Sequence, residues 1–229
     1  MSFVGDFQSN PEEISINNDN SLFIWLDVLG FAEAVDDVEK YIELSELLKK
    51  FQALFVESDK YDTKIISDGL ILYAKEPTEE MISLIFKEIA EKQFEFILKN
   101  KYFIRGGIAV GSRYESEEVT DQFISNGLAR AYSLESSGID WPLIATDEKN
   151  INRLKQMFRI DEANEYFGLE EAFNKNGKNI YFIDFIKENE TYLKLLEEKI
   201  FEFKDTPSVS LFIKNNLKWM EIKKKAIVF

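Results

Sequence analysis

The sequence contains no cysteine and no histidine, and only four of its 229 residues are proline. The missing cysteine excludes disulfides, thiol nucleophiles and cysteine-based zinc sites. The missing histidine removes the usual general base near neutral pH and the commonest ligand for transition metals. Carboxylate and carbonyl oxygens remain, and these oxygens suit hard cations such as Mg²⁺ or Mn²⁺. If the chain is an enzyme, its composition therefore favours magnesium-type chemistry.

Positive charge is also scarce, because 28 Lys and Arg residues face 42 Asp and Glu residues, which gives a formal net charge of -14. This excess of negative charge argues against extensive binding to duplex nucleic acid, which needs Lys and Arg side chains to neutralise the phosphates. It also argues against attraction to anionic lipid. No apolar run is long enough to span a bilayer, and the polar, acidic segment 1–20 does not resemble a signal peptide. We therefore expect a cytoplasmic protein that binds neither nucleic acid nor membrane. Such a protein can still bind a nucleoside triphosphate when a divalent cation screens the phosphates.

The apolar content is sufficient for one well-packed domain, since 45% of the residues are hydrophobic and 20 are Phe. We predict an N-terminal extension over residues 1–20, a single domain over 21–186 and a C-terminal helical extension of that domain over 187–229. The strands predicted from apolar runs are Ser21–Leu29, a hairpin over Lys64–Ala74, Tyr102–Val110, Trp141–Thr146 and Asn179–Asp184. The helices predicted from apolar periodicity are Phe31–Phe55, Thr78–Asn100, Phe123–Glu135, Asp147 to about Phe158, Lys187–Phe203 and Ser208–Lys225. This order fits an α+β sandwich of ferredoxin-like type with additional C-terminal helices.

Two acidic residues stand out as candidate metal ligands. Asp27 lies inside an apolar strand, where it could cap the next helix, form a buried ion pair or bind a metal, because a lone buried carboxylate is costly. Asp68 lies at the tip of the hairpin, where it could also be an ordinary turn residue. In a ferredoxin-like sheet the first strand and the central hairpin are neighbours, so these carboxylates can face each other and hold two divalent ions for phosphoryl transfer. The turn from Gly30 into Phe31 would present backbone N–H groups to phosphates.

Four segments in the same order resemble the class III nucleotidyl cyclases, the adenylate and guanylate cyclases. They are FIWLDVLGF at 23–31, KIISDG at 64–69, RGGIAVG at 105–111 and GLARAYSLE at 127–135. The resemblance implies the cyclase fold, an antiparallel-rich sheet with helices packed on it. It also implies attack of a ribose 3′-oxygen on the α-phosphate of a nucleoside triphosphate, with release of pyrophosphate, in a homodimer whose sites lie at the interface.

The resemblance also implies roles for individual residues. Asp27 and Asp68 would bind two Mg²⁺ or Mn²⁺ ions per site, with the carbonyl of Val28 as an extra ligand. Lys64 occupies the position of a base-selecting residue. A second base-reading position falls at Gln122 or its neighbour Asp121.

The sequence departs from the usual cyclase pattern on the helix that follows the later strand. Family members carry an Asn and an Arg there, and the Arg stabilises charge on the transferring phosphate, whereas this sequence has Ala129 and Ser133. Loss of such a donor typically costs on the order of 10²–10³ in rate. Either Arg130 or Arg105 supplies the charge instead, with Arg130 as the catalytic candidate, or activity is slow or absent.

The RGGI segment and the helix ending in AYSLE resemble the small bacterial cyclases of anti-phage operons, such as the Pycsar pyrimidine cyclases, more than they resemble the hormone-regulated cyclases. This likeness implies UTP or CTP as substrate, cyclic UMP or cyclic CMP as product, and a role in defence against phage. Two alternatives stay open. One is an inactive cyclase-fold protein that senses nucleotide or mediates dimerisation, and the other is a polymerase-type palm such as a diguanylate cyclase.

Overall fold

The computed structural model describes residues 20–100, 102–114, 124–138, 143–158, 169–173 and 178–186, with residues 191, 194, 195, 197 and 198. The strands in chain order are β1 Ser21–Val28, β2 Asp62–Ile66, β3 Gly69–Ala74, β4 Ile104–Gly111, β5 Arg113–Tyr114, β6 Ile124–Ser125, β7 Ile144–Asp147, β8 Glu170–Phe173 and β9 Asn179–Phe182. The helices are α1 Phe31–Val35, α2 Tyr41–Val56, α3 Glu79–Lys99, α4 Asn126–Gly138 and α5 Glu148–Phe158. A 3₁₀ turn at Val38–Lys40 precedes α2. None of the helices described is long and apolar enough to cross a membrane.

Seven of these strands form one sheet in the order β2-β3-β1-β4-β7-β9-β8. Neighbouring strands are antiparallel except for β4 and β7, which are parallel. Strand β1 pairs with the hairpin strand β3 on one side and with β4 on the other. The α+β class and the antiparallel-rich sheet with packed helices are therefore confirmed.

The sheet separates two apolar layers. Alternation along β1 sends Leu22, Ile24, Leu26 and Val28 to the face that carries the main core, to which α2 and α3 contribute the buried residues Phe51, Phe55, Ile89 and Phe96. Phe23 lies on the opposite face, in a smaller cluster with Tyr73, Ala109 and Ala131 of α4. Trp25 and Asp27 follow Phe23 at intervals of two, so they share the face that α4 covers.

Local capping signals placed two helices correctly. The hydroxyl of Thr78 accepts a hydrogen bond from the backbone N–H of Met81 at 3.2 Å, and α3 begins immediately after it. The carboxylate of Asp147 accepts from the N–H of Asn150 at 2.8 Å, and α5 follows and ends at Phe158. Both helices were predicted from these capping residues.

Two helix predictions were wrong in their boundaries, for a common reason. The helix predicted from Phe31 to Phe55 is interrupted, because the Asp37 side chain accepts from the N–H of Glu39 at 3.1 Å and starts a separate 3₁₀ turn. The helix predicted from Phe123 starts at Asn126, since the Ser125 hydroxyl accepts from the amides of Gly127 and Leu128 at 3.1 and 3.2 Å. In each case a short polar side chain accepts hydrogen bonds from backbone amides two or three residues further on, so a new helical segment begins there.

Other predictions differ from the structure or fall outside it. The strands predicted over Tyr102–Val110, Trp141–Thr146 and Asn179–Asp184 are present with shifted ends, while β5, β6 and β8 were not predicted. The C-terminal helices predicted over Lys187–Phe203 and Ser208–Lys225 lie almost wholly outside the described residues. The domain boundaries at 20 and 186 stay predictions.

Candidate active site

The end of β1 and the tip of the β2–β3 hairpin lie side by side. Asp27 is the cross-strand partner of Gly69 on β3 and of Arg105 on β4. Asp68 immediately precedes Gly69 in the hairpin turn, so its backbone is one residue from the partner of Asp27. The fold therefore brings the two predicted carboxylates to the same end of the central strands.

The Asp27 carboxyl group is mostly buried, with 14% of its side chain exposed. Burial is the largest effect on its pKa and raises it, the Arg105 guanidinium lowers it, and the negative charges of Glu135 and Asp68 raise it further. The net result is a pKa of about 7 instead of 3.8. The main cause of this shift is burial, and the two neighbouring acids add a smaller effect in the same direction.

Arg105 on β4 contacts two acidic side chains at once. Its Nε and Nη2 atoms donate to Oδ2 of Asp27 at 3.1 and 3.0 Å. Its Nε atom is also 2.6 Å from Oε1 of Glu135 on α4, an ion pair whose angles fall short of a hydrogen bond. Glu135 is almost fully buried, with 4% of its side chain exposed, and burial raises its pKa.

Very close packing of α4 on the sheet positions Glu135 over Arg105. A Cβ atom on Gly107 of β4 would lie 2.0 Å from the carbonyl oxygen of Ala131, and one on Gly127 would lie 2.2 Å from the ring of Phe23. Only glycine permits these approaches. Glu135 lies one helical turn beyond Ala131, so the same face of α4 that rests on the sheet carries this carboxylate.

Aromatic side chains border the carboxylates on the α4 side. The Trp25 ring lies against Gly69 and packs edge-on against Tyr132 of α4, with ring centroids 5.4 Å apart. The Trp25 Nε1 atom is buried and has no hydrogen-bond partner within the described part of the chain. Tyr132 is 54% exposed, so this aromatic pair reaches the surface beside the site.

The turn at Gly30 and Phe31 offers fewer free backbone amides to a phosphate than the sequence predicts. Gly30 has a φ of 80°, which glycine tolerates, and the helix that follows has only five residues. The amide of Leu29 is not available to a ligand, because it donates to the carbonyl of Phe103 at 2.8 Å. The Phe31 side chain packs against the main core, so only its backbone can face a phosphate.

The candidate base-reading residues are only partly described. Lys64 on β2 is the cross-strand partner of Ile71, which is in turn the partner of Trp25. Lys64 is therefore level with Trp25 across the sheet, two residues from the level of Asp27, and lies on the same face as both. Asp121 and Gln122, the alternatives for the second base-reading position, lie outside the described residues.

Arg130 does not meet the carboxylates within one chain. Its Nη1 atom donates to the carbonyl of Val110 at 2.8 Å, at the opposite end of β4 from Arg105. Burial, and then the nearby charge of Arg153, lower the pKa of Arg130. A catalytic role for Arg130 stays a prediction.

Comparison with known proteins gives matches at the level of structure only. No family model matches the chain, and no curated protein sequence matches it. The adenylyl cyclase CyaB from P. aeruginosa superposes with a TM-score of 0.51 over 72% of this chain and 94% of that one, at 14% identity. A bacterial light-regulated adenylyl cyclase superposes with a TM-score of 0.50 over 79% of this chain and 98% of that one, at 11% identity.

The chain has the class III adenylyl cyclase fold. At these identities the likeness establishes the fold and not the activity. The fold predicted from the four sequence segments is confirmed, whereas the roles of the residues within them remain predictions.

The oxygen donors at the end of β1 are of the kind that suits a hard cation. No group of three or more acidic side chains that could hold a metal converges among the residues described, so Asp27 and Asp68 would need the Val28 carbonyl or other oxygens to complete a site. The carboxylates of Asp27, Asp68 and Glu135 influence one another electrostatically around Arg105. A divalent cation would offset this concentration of negative charge.

Glu135 is the site residue to which the sequence analysis gave no role. The sequence does place Gly127, Ala131 and Glu135 on one helix face, because they recur at intervals of four, and two small residues on that face are compatible with close packing. Its partner, Arg105, could not be predicted in this way, because their contact depends on how distant segments of the chain pair.

Proposed function

We propose that the protein is a metal-dependent nucleotidyl cyclase that converts a nucleoside triphosphate to a 3′,5′-cyclic nucleotide and pyrophosphate. The observation that carries the proposal is the position of Asp27 and Asp68, side by side at the end of the central strands of a class III cyclase fold. Arg105 is the cation that contacts Asp27, and a divalent cation at the same place would add positive charge beside both carboxylates.

Asp27 and Asp68 would hold two Mg²⁺ or Mn²⁺ ions, with the Val28 carbonyl as an additional ligand. Bound ions of this kind favour loss of the proton from the attacking hydroxyl and neutralise charge on the leaving group. The ribose 3′-hydroxyl loses its proton to solvent and its oxygen forms a bond to the α-phosphorus, while the bond from that phosphorus to the bridging oxygen of the β-phosphate breaks and pyrophosphate leaves. The amides of Gly30 and Phe31 would contact phosphate oxygens, and Lys64 would contact the base.

The finer parts of the proposal rest on sequence resemblance. We propose UTP or CTP as the substrate, because the RGGI and AYSLE segments resemble pyrimidine cyclases that act in defence against phage. We also propose a homodimer, in which Arg130, Asp121 and Gln122 would act at the site of the partner subunit. The exposed outer side of α4, with Ala129 and Ser133, is accessible to such a partner.

A product screen tests the proposal directly. The purified protein is incubated with Mn²⁺ and ATP, GTP, CTP or UTP in separate reactions, and products are identified by mass spectrometry. A cyclic mononucleotide with an equal amount of pyrophosphate is expected from UTP or CTP. A cyclic purine nucleotide would retain the cyclase and reject the pyrimidine preference, whereas a dinucleotide or oligomer would indicate a polymerase-type palm.

A second candidate function is nucleotide sensing without catalysis. Ala129 and Ser133 favour it, because they stand where class III cyclases carry the Asn and the Arg that act on the transferring phosphate. It predicts calorimetrically measurable binding of a nucleoside triphosphate with Mn²⁺ and no release of pyrophosphate from any of the four nucleotides.

A further inference from the structure

One guanidinium group serves two buried carboxylates beside the candidate metal site. Arg105 holds Oδ2 of Asp27 through Nε and Nη2, while the same Nε lies 2.6 Å from Oε1 of Glu135. Both of these hydrogen bonds fall on Oδ2 of Asp27, so a cation that takes this oxygen as a ligand must displace the Arg105 guanidinium from it.

Displaced from Asp27, the Arg105 side chain would still need a partner. It is only 30% exposed, and a buried charge without a counter-ion is strongly destabilising. Glu135 meets this need, since it is nearly fully buried, is already in contact with Nε, and is carried by a helix packed directly on β4.

We propose that Glu135 is a positioning residue that retains the Arg105 guanidinium when Asp27 binds a divalent cation. The Asp27–Arg105 ion pair is then an internal competitor for metal, and Glu135 sets how easily that competitor is displaced. The inference rests on the proposed function, because it assumes that Asp27 is a metal ligand.

Three explanations of the Arg105–Glu135 contact predict different metal affinities. A purely structural role predicts that every substitution at either residue weakens metal binding. A through-space effect of charge predicts that Glu135→Gln weakens binding and that Glu135→Asp, which keeps the charge, does not. The proposed competition predicts that Glu135→Gln and Glu135→Asp both weaken binding, because the shorter Asp side chain moves the carboxylate away from Arg105, and that Arg105→Gln strengthens it.

The experiment measures the affinity of the full chain for Mn²⁺ alone, from the loss of the free-ion signal in electron paramagnetic resonance. The proteins compared are the wild type, Glu135→Gln, Glu135→Asp, Arg105→Gln and Asp27→Asn. Both Glu135 variants are expected to bind Mn²⁺ on the order of tenfold more weakly, and Arg105→Gln more tightly, by a similar factor. Thermal melting of each metal-free variant shows whether it is folded, and the comparison is restricted to temperatures at which all are folded.

Wild-type affinity in Glu135→Asp, or weaker binding in Arg105→Gln, would overturn the proposal. So would undiminished Mn²⁺ binding in Asp27→Asn, because Asp27 would then not be the ligand. Cyclase activity of the same wild-type preparation separates the two levels. An active enzyme without the expected pattern rejects only the role of Glu135, whereas a protein that neither binds Mn²⁺ nor forms product rejects the proposed function as well.

Discussion

Gly69 on β3 lies directly against the Trp25 ring on β1. A Cβ atom at Gly69 would come within 2.3 Å of Cη2 and 2.4 Å of Cζ2 of Trp25, distances that no packed side chain adopts. Glycine is therefore required here for space, and the unusual backbone angle of the hairpin falls on Ser67, whose φ is 55°. Because Gly69 is also the partner of Asp27 and the neighbour of Asp68, the Trp25–Gly69 contact helps to fix the separation of the two carboxylates.

We predict that Gly69→Ala destabilises the protein and lowers cyclase activity. The added methyl group must displace the indole ring, and overpacking of this kind typically costs about 1–3 kcal/mol of unfolding free energy. Displacement of the hairpin tip also moves Asp68 relative to Asp27, so activity is expected to fall even well below the melting temperature. Chemical denaturation and initial rates with Mn²⁺ measure the two effects.

The matched control is the double variant Trp25→Phe with Gly69→Ala. The smaller phenyl ring lacks the outer atoms that the new methyl group would meet, so the double variant is expected to recover stability relative to Gly69→Ala alone. Additive losses from the two substitutions would contradict the contact as the cause.

Asp27→Asn and Asp68→Asn should each reduce cyclase activity by at least about a hundredfold, because metal-ion catalysis supplies several kcal/mol of transition-state stabilisation. The control is Asp59→Asn, because Asp59 is 91% exposed and, in the part of the chain that the structure describes, forms an ion pair with Lys60 alone. Rates are measured by pyrophosphate release. Turnover that persists in both site variants would exclude these carboxylates as the catalytic centre.

Much of the fold could be predicted from the sequence because its elements carry strong local signals. Thr78 and the apolar positions that follow it specify α3, and the apolar stretch around Asp27 specifies β1. Prediction was less successful where a short polar side chain decides a helix boundary. Asp37 and Ser125 each satisfy nearby amides and so end or start a helix, a choice that periodicity does not reveal.

The candidate site was predictable for its two leading carboxylates and incomplete for their surroundings. Asp27 is unusual for its element, as an acid within an apolar strand, whereas Asp68 is an ordinary turn residue by itself and becomes a candidate through the pairing of its hairpin with β1. By contrast, Arg105 contacts Asp27, a residue 78 positions away in the chain. Such pairings depend on strand order and on the seating of α4, which composition and periodicity do not determine.

A second charge network, remote from the site, predicts a stability effect. Glu88 on α3 lies 2.6 Å from Nζ of Lys92, and accepts hydrogen bonds from Lys60 at 3.0 Å and from the hydroxyl of Tyr61 at 3.1 Å. Glu88→Gln is expected to lower the unfolding free energy by about 2 kcal/mol, between the values for exposed and buried ion pairs. Glu46→Gln is the control, because its ion pair with Lys49 is exposed, and little change is expected there.

The stabilisation from Glu88 should depend on pH. Burial alone would raise the pKa of Glu88, but hydrogen bonds from Lys92 and Lys60 and the charge of Lys92 outweigh it, so the pKa lies below its usual value of 4.5. A lowered pKa in the folded state stabilises the protein above the unfolded value, and this contribution is lost as the pH falls through the folded value. The difference in melting temperature between wild type and Glu88→Gln should therefore be largest near neutral pH and shrink below about pH 4.5. A difference that is constant between about pH 7 and pH 3 would contradict the ion network as its source.

The exposed positions Ala129 and Ser133 offer a gain-of-function test that separates an enzyme from a sensor. If the protein is a cyclase that lacks the usual transition-state donors, Ala129→Asn combined with Ser133→Arg should raise the rate of pyrophosphate release by up to about a hundredfold, because one such donor is worth 10²–10³ in rate. Both side chains are exposed, so the substitutions should not disturb the core. Ser136→Arg adds the same charge to an exposed position on the same helix and should leave the rate unchanged. If the double variant binds a nucleoside triphosphate with Mn²⁺ and still releases no pyrophosphate, missing donors do not explain a silent site, and nucleotide sensing becomes the better description of the wild type.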